Sequence, residues 1–196
     1  MNTNFLHNIN GIYAITPDRA LCLDAIEKVV SSRGINILQY RRKTANAKTK
    51  FAEAGKLQQL CAKHHTLFIV NDDVNLAQKI QADGVHLGKN DGSIGQARTQ
   101  LGAHAIIGVS CYNDINLAQK AQQQGADYVA FGALFASRTK VNVPRCNLDI
   151  ITQARKMLDI PIVGIGGIDF DNQQSAFDAG CNSVAMINTL WEKQLV

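Results

Sequence analysis

Eight short, apolar, β-rich runs recur along the chain at fairly regular intervals, and this recurrence restricts the fold more than any other feature. They are Gly11–Ile15, Ile35–Tyr40, Leu67–Val70, Gly84–Leu87, Ala105–Val109, Tyr128–Gly132, Pro161–Ile165 and Ser183–Ile187. Most are continuously apolar, as expected of strands buried on both faces of a parallel sheet. Helical spacing fills the gaps, for example over Leu21–Val30, Phe51–Ala62 and Leu117–Gln124. One phrase occurs three times just before a strand: Ala82-Asp83-Gly84, Gly125-Ala126-Asp127 and Ala179-Gly180-Cys181. Such a stop signal means a short turn from helix back to sheet. Eight strands alternating with helices favour a closed (β/α)8 TIM barrel over a doubly wound open sheet. At 196 residues the barrel is compact, the C-terminal helix is expected to be abbreviated, and no linker divides residues 1–196, which read as one domain.

Composition removes several classes of function. Hydrophobic residues make up 46% and charged residues 18%, enough apolar material for a sizeable core. A net charge of +4, with only the short cluster Arg41-Arg42-Lys43, does not suit nucleic-acid binding. The five cysteines are scattered singly without Cys-x-x-Cys spacing, which predicts reduced thiols in a cytoplasmic protein and no zinc site. No apolar run approaches the roughly 20 residues that span a bilayer, and residues 1–10 lack a signal-peptide core.

A barrel carries its chemistry where strands end, and polar clusters fall there. Gln39-Tyr40-Arg41-Arg42-Lys43 closes the second strand; Gln39 and Arg41 alternate onto one side, and Arg with Lys suits a polyanionic phosphate as readily as a solvated loop. Asn71-Asp72-Asp73 closes the third, where one member is expected to cap a helix. Asp91 follows the fourth, and carboxylates on adjacent loops can share a Mg²⁺ that also binds diphosphate. His86, without a second His at ligand spacing, reads as structural. Ser110 ends the fifth strand without a nucleophile elbow. Ser137, Arg138, Thr139 and Lys140 form a hydroxyl-rich cationic loop after the sixth. Gly164-Ile165-Gly166-Gly167-Ile168 and Met186-Ile187-Asn188 end the last two strands, where barrels often hold a phosphate on backbone N–H groups.

In order and spacing, Gln39-x-Arg41-x-Lys43, Asn71-Asp72, Asp83 to Gly88 with Asp91, Gly108-Val109-Ser110, Ser137-x-Thr139-Lys140 and Gly164 to Ile168 resemble the thiamine-phosphate synthase family from Gly11 to about Leu190. The resemblance implies condensation of hydroxymethylpyrimidine diphosphate with hydroxyethylthiazole phosphate, or its carboxylated form, on small-molecule substrates alone, with a homo-oligomer possible. It implies that Gln39, Arg41, Lys43, Asn71, Ser110 and Lys140, within a run that includes Tyr40 and Arg42, contact the pyrimidine diphosphate. Arg41, Lys43, Ser110 and Lys140 would carry catalysis, and Asp72 and Asp91 would hold Mg²⁺. The thiazole phosphate would lie on Ser137, Arg138, Thr139, Gly167, Ile187 and Asn188. The chain departs from the family pattern at Lys89, around Ala136, and at Ser183 and Asn188, the last two expected to border the thiazole phosphate site. A thiazole tautomerase of the same barrel family and a non-catalytic phosphate-binding barrel are the rival readings.

Overall fold

The eight expected strands all form and close on themselves. The computed structural model describes residues 9–135 and 146–191. Its strands are β1 (Gly11–Ile15), β2 (Ile35–Tyr40), β3 (Leu67–Asn71), β4 (Gly84–Leu87), β5 (Ile106–Tyr112), β6 (Tyr128–Gly132), β7 (Ile162–Ile165) and β8 (Ser183–Met186). Each pairs in parallel with its sequence neighbours, and β8 pairs with β1, giving a closed barrel in the order 1 to 8. Only β5 departs from its expected bounds by more than two residues. It continues through Ser110 to Tyr112, with a register shift against β6 between those residues.

Helices α1 (Leu23–Ser32), α2 (Ala47–Lys63), α3 (Val74–Lys79), α4 (Ile94–Leu101), α5 (Ile115–Gln123), α6 (Leu148–Arg155) and α7 (Gln173–Ala179) alternate with the strands. The described part of α8 is Asn188–Trp191. Side chains of Asn46, Asp73, Ser93, Asp114 and Asn147 cap five of them by accepting from otherwise unpaired N–H groups of the first turn. Asp73 is therefore the helix cap expected in the Asn71–Asp73 run.

The strands have two apolar faces with separate tasks. Tyr13, Ile15, Ile37, Ile69, Ile106, Tyr128, Ala130, Val163 and Ala185 pack together inside the barrel. The intervening residues, among them Ala14, Leu38, Phe68, Val85, Ile107, Val129 and Val184, belong to a larger core shared with the helices. Period-two alternation thus persists although neither face meets water.

The repeated phrase before the strands has a common physical job. Asp83 Oδ2 accepts from Phe68 N at 2.7 Å, Asp127 Oδ2 from Ile107 N at 2.7 Å, and Asn182 Oδ1 from Ile162 N at 2.9 Å. Each side chain clamps the start of the preceding strand while its own N–H donates to that strand's backbone. Arg98 braces Asp127 at 2.6 Å and Arg155 braces Asn182 at 3.1 Å. At the β8–β1 seam, Ser183 Oγ donates to Gly11 O at 2.9 Å and Trp191 Nε1 donates to Ile15 O at 2.7 Å.

Candidate active site

Strand parity decides which polar side chains enter the barrel. Gln39 shares the inner face of β2 with Ile37 and is 3% exposed. Its Nε2 donates to Tyr13 Oη at 2.8 Å, and Tyr13 Oη lies 2.7 Å from Tyr128 Oη. Tyr128 Oη is 3.0 Å from His86 Nδ1, and His86 Nε2 is 2.8 Å from Ser110 Oγ. Five side chains from five strands thereby span the interior from β2 to β5. Gly108 makes room for this chain, because a Cβ there would collide with the phenol of Tyr128. Burial pushes the His86 pKa down to about 4, with Asp91 opposing weakly, so the ring is neutral near pH 7. Burial likewise raises the pKa of both tyrosines.

Tyr40 and Arg42 have the opposite parity. Tyr40 Oη donates to Glu53 Oε2 at 2.7 Å on the helix side, and burial together with that carboxylate raises its pKa. Arg42 is held 3.4 Å from Asp18 and 3.5 Å from Glu53, although it also borders a cavity at the mouth. The Arg41 guanidinium makes no hydrogen bond or ion pair among the described residues. Its backbone is pinned on both sides by Thr16 Oγ1.

That cavity, about 370 Å³, opens where β2, β3 and β4 end, and Lys43, Lys50, Asn71, Asp72 and Asp91 help to line it. Lys43 Nζ is 3.1 Å from Asp72 Oδ2. Asp72 adopts φ +64°, a left-handed conformation that Asp tolerates better than most residues, and its N–H donates to His86 O at 2.9 Å. Asp91 Oδ2 accepts from Gly88 N at 2.9 Å. Its pKa is raised, first by burial and then by the neighbouring Asp72 carboxylate, while Gly88 N–H and Lys43 oppose the shift. Two crowded carboxylates, of which only Asp72 is ion-paired, with Lys43, among the described residues, fit a divalent metal, which would relieve their repulsion. Among the described residues no cluster of three or more His, Cys, Asp or Glu could hold a metal, and Asp72 and Asp91 would be its carboxylate ligands.

Across the mouth the chemistry changes. Gly166 has φ +100° and Gly167 φ +66°, conformations that glycine enters without penalty. Among the described residues neither glycine's N–H has a hydrogen-bond partner, whereas Gly167 O is tied to Asn172 Nδ2 at 2.9 Å. Pairing of Ile165 with Ala185 brings the turn beside Ile187 and Asn188, and Thr189 Oγ1 donates to Ile168 O at 3.3 Å. Ser183 does not border this region. It starts β8, bonded to Gly11 O, and a strand runs about 3.3 Å per residue, so it sits at the opposite rim from Asn188. Ala136, Ser137, Arg138, Thr139 and Lys140 lie outside the described residues.

The arrangement can be set beside known proteins. The model of the thiamine monophosphate synthase family matches residues 12–190. The chain belongs to this family. A thiamine-phosphate synthase of Methylobacillus flagellatus is 47% identical over 193 residues, covering 97% of this chain and 92% of that protein. One from Alcanivorax borkumensis is 46% identical over 191 residues, covering 95% and 87%. The solved thiamine phosphate pyrophosphorylase of Pyrococcus furiosus superposes with a TM-score of 0.83 at 29% identity, covering 93% of this chain and 88% of that one. An N-acetylmannosamine-6-phosphate 2-epimerase from Clostridium perfringens, at TM-score 0.70 and 12% identity, shares the barrel alone.

Against this family background, sequence inspection overlooked Lys50, Tyr13 and Tyr128. Lys50 sits near the start of α2, seven residues after Lys43 with a loop between them, so no helical spacing joined it to the Arg41–Lys43 cluster. Nothing local marks the two tyrosines, whose partners lie 115 residues apart in sequence.

Proposed function

We propose that this chain is a transferase that joins hydroxymethylpyrimidine diphosphate to hydroxyethylthiazole phosphate, or its carboxylated form, releasing diphosphate and thiamine phosphate. The observation that carries this reading is the asymmetry of the mouth. One side holds Lys43 against Asp72 and Asp91 in a cation-lined cavity, and the other offers N–H groups of Gly166 and Gly167 that have no partner among the described residues. A departing diphosphate needs formal positive charge, whereas a monophosphate can be held by backbone donors.

In this reading Arg41, Lys43 and Lys140 face the diphosphate, and Asn71, Gln39 and Ser110 orient the pyrimidine. A Mg²⁺ held by Asp72 and Asp91 would supply further positive charge to the leaving group. The methylene C–O bond breaks with its electron pair leaving on diphosphate, and the thiazole nitrogen lone pair forms the new C–N bond. No general base is required, and the step asks no proton transfer of the neutral, buried His86 that is hydrogen-bonded to Ser110. Ser137, Arg138, Thr139, Gly167, Ile187 and Asn188 would position the thiazole phosphate. Tyr40 takes part only as support for Arg42 through their shared Glu53. A tautomerase would leave the Lys43–Asp72–Asp91 group without a task.

No helix among the described residues is long and apolar enough to cross a membrane. The reading is of a cytoplasmic enzyme acting on small phosphorylated molecules, without nucleic acid. Purified protein given both substrates and Mg²⁺ should release diphosphate and thiamine phosphate in equal amounts. Diphosphate release without thiamine phosphate would overturn the assignment.

A further inference from the structure

We propose that Gln39, Tyr13, Tyr128, His86 and Ser110 act as one directional hydrogen-bond chain, so that the polarity Gln39 offers to a ligand and the polarity Ser110 offers are complementary and set together. Tyr13, Tyr128 and His86 are then positioning residues. The coupling follows from proton counting. Each phenol has one proton, a neutral imidazole has one N–H and one lone pair, and a hydroxyl has one proton. Tyr13 Oη is shared by Gln39 and Tyr128, and Tyr128 Oη by Tyr13 and His86 Nδ1. Among the described residues these interior atoms have no other partners, and Tyr13 and Tyr128 are 1% and 0% exposed. Two donors or two acceptors meeting at any link would leave a buried group unsatisfied.

Only two arrangements satisfy every link. In the one that follows when Gln39 Nε2 donates to Tyr13, Tyr13 must donate to Tyr128, and Tyr128 to His86 Nδ1. His86 Nε2–H then donates to Ser110, which keeps its own proton for a ligand, while Gln39 keeps Oε1 as acceptor beside its second Nε2–H. In the reverse arrangement the amide turns over, His86 carries its proton on Nδ1, Ser110 spends its proton on Nε2, and Gln39 offers N–H groups instead. Either way Gln39 Oε1 is open to a ligand only while Ser110 has its proton to give, and Ser110 can only receive once Oε1 is taken up by Tyr13. If the proposed function is right, this matches a pyrimidine whose exocyclic amine donates beside a ring nitrogen that accepts. The His86 proton then records which way round the ring is read. Ring orientation matters because the reacting methylene must point to the diphosphate side of the mouth.

The test is the position of one proton. In protein labelled with ¹⁵N-histidine, with His86 assigned by its loss in His86→Gln, the free wild type should show the Nε2–H tautomer. Gln39→Glu, studied at a pH where its ¹³C carboxyl resonance reports ionisation, can only accept. It should therefore turn His86 to the Nδ1–H tautomer through two intervening phenols. Adding Tyr13→Phe should abolish that response. An unchanged tautomer in Gln39→Glu, or a response that survives Tyr13→Phe, would overturn the coupling. The reading of the substrate has its own arm: Tyr128→Phe should raise KM for the pyrimidine substrate about tenfold, leaving KM for the thiazole phosphate and kcat within about twofold. Equal effects on both KM values would make the chain merely structural. If no thiamine phosphate forms even in wild type, the proposed function fails while the tautomer result stands by itself.

Discussion

The two rims of the barrel use the same residue types to opposite ends. At the rim where strands begin, Asp83, Asp127 and Asn182 each accept a strand N–H, and Arg98 and Arg155 brace two of them. Those polar groups are matched inside the protein, and a matched polar group in a partly buried place stabilises the fold. At the rim where strands end, Asp72 and Asp91 crowd each other beside Lys43, and the N–H groups of Gly166 and Gly167 are unmatched among the described residues. Such mismatches are costly unless a ligand completes them, and perturbed groups in a cleft mark a functional site. The difference teaches where to look: internal bookkeeping closes at one rim and stays open at the other.

The largest way to test this contrast is to strike the open rim. Excess chelator should stop turnover, and Asp91→Asn should lower kcat/KM by about a hundredfold or more. Because that change also removes like-charge repulsion, the melting temperature should not fall; full activity in chelator would remove the metal role. Striking the closed rim should give the converse. Asp127→Ala leaves Arg98 and Ile107 N–H without their partner and should cost about 2 kcal/mol of stability in a denaturant titration. Its kcat should be unchanged, and a catalytic defect larger than the stability loss would break the comparison.

A smaller effect is expected at the glycine turn. Gly167→Ala strains a residue at φ +66° and should weaken thiazole phosphate binding about tenfold, with the pyrimidine diphosphate titrating as before. Loss of the pyrimidine substrate instead would exchange the two phosphate sites. The smallest effect lies between the rims. The folded pKa of His86 is about 4, below its unfolded value, so in that range the unfolded chain binds the extra proton. Stability should therefore fall as pH drops, by about 1 kcal/mol between roughly pH 6.5 and 5.5, continuing towards pH 4. His86→Gln should lack this slope.

Much of the fold was legible because strand and helix signals are local. Continuous apolar runs located the strands, and the Ala-Asp-Gly and Gly-Ala-Asp phrases located the returns to the sheet. What those phrases do was hidden, since the clamp on Phe68 or Ile107 joins residues 15 or 20 positions apart. In the site, cations and carboxylates at strand ends could be read by parity, which placed Gln39 inside. The same parity turns Tyr40 and Arg42 away, a consequence that adjacency in the sequence obscured. Ser183 was misplaced for a related reason: five positions along the chain before Asn188 carry it along the length of a strand to the other rim. The Tyr13–Tyr128–His86 chain could not be read at all, because only closure of the barrel brings its members together.

The seam between β8 and β1 gives the closing step its own kinetic character. The clamps that join successive strands span 15 to 20 residues, so their loops close early and cheaply. The seam is held by bonds spanning 172 and 176 residues, from Ser183 to Gly11 and from Trp191 to Ile15, and these long-range contacts should form last. Trp191 is the only tryptophan in the chain and is 1% exposed when the seam is shut. In a refolding experiment its fluorescence is thus a built-in clock for closure of the ring, against which the earlier gain of helix, followed by circular dichroism, can be timed.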